Sequence, residues 1–113
     1  MASIFERLDN REAFKVEIKG GAVWLREPTF ADGERVSAMT TPELQNGLSL
    51  ALCLVNEDGT RAFVAGAAES DIEFANRVLT EAKACIGRSS MLAIFAAMKT
   101  LMQPADPQEL AKN

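Results

Sequence analysis

Between Ala13 and Arg26 the chain switches to strict alternation. Phe14, Val16 and Ile18 interleave with Lys15, Glu17 and Lys19, the period of a strand with one buried face. Gly20-Gly21 offers a two-residue turn and Ala22 to Arg26 a returning strand, so a β-hairpin is expected over about 13–27. Trp24 falls on the opposite face from Val23 and Leu25, which gives both faces apolar weight. Upstream, Ser3 to Leu8 fits one or two helical turns. Downstream, Pro28 stops the strand, and Thr29 with Asp32 three residues on forms a helix start for a segment reaching about Met39. Thr41 caps a second short helix with Pro42 at its first position, and Asn46-Gly47 is expected to close it.

Leu48 to Val55 is apolar throughout except for Ser49. Leu48, Leu50, Leu52 and Leu54 share one face in strand spacing, and the polar turn Asn56 to Thr60 leads into Arg61–Ala65. A second hairpin over about 48–65 is the first reading. A helix over 43–55 competes with it, because Leu44, Leu48, Ala51, Leu52 and Val55 also fit helical spacing. Beyond Gly66 the pattern turns helical. Ser70 and Glu73 form an S-x-x-E capping box. Ile72, Ala75, Val78, Leu79, Ala82, Cys85 and Ile86 then share a face, with Glu73 and Arg77 spaced as an i,i+4 pair. Gly87 ends this helix near 86, and Ser89 or Ser90 caps another that runs over about 90–102. The short connection makes the two antiparallel neighbours. The fold class is α+β: small antiparallel hairpins packed with a C-terminal helix pair in one domain, 1–103, followed by a flexible polar tail, 104–113. No internal repeat or linker is visible.

The last helix carries the most unusual pattern. MLAIFAAMKTLM, residues 91–102, contains one charge, Lys99. Met91, Ile94, Phe95, Met98, Leu101 and Met102 line one face, while Leu92, Ala93, Ala96 and Ala97 carry apolar surface round the sides. Such a helix is normally buried on more than one side, and exposing each large side chain forfeits about 1.5–3 kcal/mol. Either it forms the centre of the domain or part of it awaits a partner. Those six residues, with Trp24 as a second anchor because Trp is enriched at binding hot spots, are the candidate partner or oligomer interface.

Composition narrows the functions. The chain has 113 residues, 48% of them hydrophobic, enough for a core. Twelve basic and sixteen acidic residues are dispersed, for a net charge of -4. With no basic stripe, nucleic acid is not an expected partner. There is no histidine and no tyrosine, which removes the commonest general base and nitrogen ligand. Cys53 and Cys85 form no CxxC and read as buried, reduced cysteines of a cytosolic protein. The turn Asn56-Glu57-Asp58-Gly59-Thr60 lacks EF-hand ligand spacing, and Gly20-Gly21 lacks a phosphate-loop pattern. No enzyme, metal or cofactor is expected. The N-terminus has no signal-peptide core, and 91–102 is shorter than the roughly 20 residues of a membrane span, so a soluble cytoplasmic protein without membrane contact is expected.

The order of segments resembles a known family. A strand reading A-V-W-L-R-E-P (22–28), a variable helical middle, an apolar strand ending V-N-E-D-G-T-R (55–61), an acidic-capped helix, a second apolar helix and the final Lys112-Asn113 resemble tail assembly chaperones of long-tailed (siphovirus-type) bacteriophages and prophages. The likeness spans most of 13–113 and is one of layout, not of a specific motif. It implies a homo-oligomer of the host bacterial cytoplasm, absent from the mature virion. It also implies binding to the tape-measure protein, which such chaperones keep soluble, and recruitment of tail-tube subunits. Many such phages also make a longer form by a programmed frameshift. The family brings no catalytic residues. The reading from the residues themselves leaves a self-associating structural or head-tail component of a phage particle as the alternative.

Overall fold

The computed structural model describes residues 3–9 and 11–102, apart from the side chains of Phe5, Leu8 and Met102. The expected polar tail, 104–113, lies outside the described residues. The chain runs α1 (Ile4–Leu8), β1 (Phe14–Ile18), β2 (Gly21–Leu25), α2 (Phe30–Ser37), α3 (Pro42–Cys53), β3 (Leu54–Val55), α4 (Asp71–Cys85) and α5 (Arg88–Met102). This is an α+β fold. A three-stranded antiparallel sheet in the order β1-β2-β3 packs with the helices.

The first hairpin is present, with Phe14 opposite Leu25 and Ile18 opposite Gly21. The turn is Lys19-Gly20 and not Gly20-Gly21. Gly20 adopts φ +92°, the left-handed value that a type II turn requires at its third position, and Gly21 already belongs to β2. Register sorts the side chains: Val16, Ile18 and Val23 pack on the core with fully buried Leu25. Lys15, Glu17, Ala22 and Trp24 take the other face, where Trp24 pairs with Val55.

The second hairpin over 48–65 is not formed. Residues 42–53 are one helix, and strand structure begins only at Leu54. Thr41 caps α3 with its hydroxyl accepting from Leu44 N–H, and Pro42 takes the first turn as expected. Gly47, expected to end the helix, lies in its middle. Every residue from Gly47 to Cys53 is buried, so the leucines that alternate like a strand are apolar because this helix is enclosed on all sides. The returning segment makes a single bridge, Arg61 with Val55, and one further bond from Ala62 N–H to the Leu54 carbonyl, around a turn in which Asp58 Oδ1 accepts from Thr60 N–H and its hydroxyl at 2.9 and 2.6 Å.

Helix α3 is the hub, touching α2, α4 and α5, and its contact with α4 is the most extensive between helices. The pairing expected between the last two helices is minor by comparison: α5 lies on α3 and β1 as well as α4. The Ser70–Glu73 capping box is present in full. On α4 the core face is Phe74, Ala75, Val78, Leu79 and Ala82; Ile72 and Cys85 are exposed, and Ile86 is half-buried. The face is therefore rotated toward Phe74. Glu73 is occupied by the cap, so Arg77 reaches Glu69 instead (Nε–Oε2 2.8 Å) and lies over the Phe74 ring. Helix α5 starts at Arg88, which places Ser89 and Ser90 in its first turn and not at its cap. Of the two cysteines only Cys53 is buried; Cys85 is exposed, against expectation, because it falls outside the rotated core face.

At the α3–α4 crossing a Cβ on Gly47 would stand 2.6 Å from the Ala75 carbonyl oxygen and 3.3 Å from its Cβ. Gly47→Ala should therefore destabilise the fold by about 1–3 kcal/mol through overpacking, although alanine adds about 1 kcal/mol of helix propensity. Urea unfolding checks this; a raised midpoint would mean the two helices separate freely.

Candidate interaction surface

Helix α5 divides its side chains between interior and exterior. Met91, Ile94 and Met98 are buried in the core cluster with Leu48, Val78 and their neighbours. These three were candidates for a partner surface, and the fold uses them to close its own core. Phe95 and Leu101 are half-buried against the same cluster. The side chain of Met102 lies outside the described residues. Trp24 is half-buried on the outer face of the sheet, away from α5's core face, so it and the α5 residues do not form one patch.

What remains accessible on α5 centres on Phe95, which lines two clefts. One, of about 310 Å³, is bounded by Lys83, Ile86, Arg88, Met91, Leu92 and Phe95. The other, of about 290 Å³, lies between α5 and the α2–α3 side and is lined by Val36, Gln45, Asn46, Ser49, Phe95, Met98 and Lys99. Leu92 stands 55% exposed at the rim of the first. Neither lining contains a carboxylate, while Lys83, Arg88 and Lys99 supply three cations. Lys83 is held by Glu43 at 2.9 Å across an exposed surface; Arg88 and Lys99 have no ion pair among the described residues. In a chain of net charge -4 this is a local positive rim around an apolar floor. The sequence marks Ile86 and Leu92 only as apolar positions of their helices and does not point to Arg88, although Leu92, Phe95 and Lys99 at spacings of three and four mark one side of the helix.

The titratable groups brought together elsewhere act as struts. Buried Asp32 accepts from Arg61 (2.7 Å) and Arg35 (3.1 Å), and Arg35 also grips Asp71 (2.7 Å), joining α2 to the 56–61 turn and to the start of α4. Burial pushes the Asp32 carboxyl up, but the guanidiniums of Arg61 and Arg35 overcome it and hold it below the usual carboxylate range. Asp71 is held low by Arg35. In the same way Arg11 holds Asp9 well below that range, with Arg26 adding to the pair from the end of β2. A cleft of about 580 Å³ between Arg11, Arg26 and the turn Glu57–Thr60 is bordered by the arginines of that cluster. Carboxylates kept ionised by bound arginines are poorly matched to proton transfer near neutral pH. Among the described residues no three His, Cys, Asp or Glu side chains gather as a metal site, and no helix is long and apolar enough to cross a membrane.

Comparison of the chain with protein-family models, with curated protein sequences and with solved structures gave no match.

Two expectations follow. Met98→Asp should abolish cooperative folding, since it puts a carboxylate into the core, whereas Leu92→Asp should shift stability by no more than about 0.5 kcal/mol; thermal circular dichroism separates them. Second, the depressed carboxylates contribute stability that is fully present above their unfolded value of about 4 and is lost as pH falls through the lower folded values. The melting temperature should thus be level near neutrality and drop below about pH 4. Asp32→Asn should lower stability at pH 7 and flatten that acid limb; an unchanged limb would remove the strut assignment.

Proposed function

We propose that this chain is a tail assembly chaperone of long-tailed phages or prophages, which binds the tape-measure protein in the host cytoplasm and keeps it soluble during tail morphogenesis. The observation that carries the reading is the apolar surface on either side of Phe95, rimmed by Lys83, Arg88 and Lys99 and free of carboxylates. An amphipathic helix of the tape-measure protein would lay its apolar stripe on Leu92, Phe95 and Ile86, the helix-in-groove mode of recognition, while its acidic flanks meet Arg88 and Lys99. Shielding is then a task for the outer side of α5. Its inner side, Met91, Ile94 and Met98, keeps the helix in place. The resemblance in the order of segments supplies the identity of the partner, and recruitment of tail-tube subunits belongs to the same reading. A self-associating structural component of the particle is the second reading, favoured by the edge position of β1, which pairs only with β2 among the described residues.

Co-expression with the tape-measure protein, followed by size-exclusion chromatography with light scattering, tests the proposal. The expected result is a soluble complex that Leu92→Asp and Arg88→Glu each weaken by about tenfold or more, as for a hot-spot contact, with the monomer still folded. A partner that stays insoluble beside the wild-type chain overturns it. Recovery of the chain in purified particles would favour the structural component instead.

A further inference from the structure

The sheet has one covered edge and one open edge. Beyond β3 the chain folds back, Arg61 bridging to Val55 and Ala62 N–H donating to the Leu54 carbonyl at 3.2 Å. On the far side, β1 pairs only with β2 among the described residues. Ile18 and Gly21 flank the two-residue turn, and such a turn closes on a hydrogen-bonded pair. Alternation along the ladder then directs the N–H and C=O groups of Lys15 and Glu17 away from β2. Their side chains project on the outer face, 53% and 83% exposed, in a loose 4.0 Å pair of their own. Helix α5 approaches the end of β1 but leaves a cleft of about 260 Å³ between Glu17–Lys19 and Ser89, Ser90 and Ala93.

We infer that β1 pairs antiparallel with β1 of a second copy, about a two-fold axis at Val16. The strand reads Phe-Lys-Val-Glu-Ile, which is complementary to itself in that register. Lys15 of each copy falls opposite Glu17 of the other, and Phe14 opposite Ile18. Charged residues on an edge strand ordinarily oppose self-pairing; here the dyad turns both into cross-strand ion pairs. It also sets the outward backbone groups of Lys15 against those of Glu17 as hydrogen-bonded partners. Phe14, 37% exposed in one copy, gains an apolar neighbour on the core face. The two three-stranded sheets become one continuous sheet whose outer face carries both Trp24 side chains. This isologous interface uses neither cleft on α5 and does not depend on what they hold.

The test is the association state of the full chain by sedimentation equilibrium, with Lys15→Glu, Glu17→Lys and the double exchange. The expected result is a wild-type dimer. Each single reversal should weaken it by about tenfold or more, since two like-charged pairs arise at once, and the double exchange should restore it. Far-ultraviolet circular dichroism shows that the variants stay folded, as exposed positions allow. Zero-length carbodiimide coupling of mixed light and heavy nitrogen-labelled wild-type chains should also yield a Lys15–Glu17 bond between unlike copies, a readout that needs no variant. A monomeric wild type, a dimer indifferent to both reversals, or single reversals that the double exchange fails to rescue would each overturn the inference.

Discussion

Of the seven glycines, Gly47 alone stands where a Cβ would meet a neighbouring backbone, because α3 rides there on the Ala75 carbonyl of α4, and the packing of the remaining elements depends on it. With no Cβ in the way, α3 sinks far enough for Leu48, Leu50, Ala51 and Cys53 to lose all solvent contact. A helix that deep presents apolar side chains in every direction. On its flanks it carries α2 through Val36 and α5 through Ile94 and Met98, and at its end it delivers Leu54 to β2 beside Leu25. The glycine costs helix propensity locally, but a Cβ at the crossing would stand 2.6 Å from the Ala75 carbonyl oxygen.

That depth explains which parts of the fold were legible in the sequence. Elements with one buried face were read correctly: β1 and β2 from alternation, α2 from Thr29 and Asp32, α4 from its capping box. Over 48–53 the structure takes the competing helical reading and not the hairpin, because total burial adds apolar residues beyond one face and blurs the periodicity that separates the two. The leucines at 48, 50, 52 and 54 then imitate a strand. In the sequence Gly47 reads as a stop for a related reason. A glycine that ends a helix and one that admits a neighbouring helix look alike until the neighbour is known. The rotation of the α4 face toward Phe74 has the same origin, since the position of α3 decides which side of α4 is inside.

The candidate surface was half legible. The greasiness of 91–102 pointed to α5, and α5 does line the clefts. The expected face divides, however: Met91, Ile94 and Met98 are taken up by the interior that a small domain needs, while Phe95 stays accessible. The accessible remainder combines Leu92 and Phe95 with cations from three places in the chain, Lys83, Arg88 and Lys99. A sequence read segment by segment does not bring those together. The arginine struts were equally hidden: Arg61 and Asp32 are 29 residues apart and meet only because α2 and the 56–61 turn flank the same end of the sheet.

The contrast between the two cysteines gives the molecule a built-in clock. Burial raises the Cys53 thiol to about 11, at the junction where α3 hands over to β3, whereas Cys85 stands in solvent. A thiol reagent consumes Cys85 at the rate of ordinary encounter and must wait at Cys53 for the centre of the fold to open. The lag between the two reactions measures how often the α3 hub breathes, in the untouched protein and without an added probe.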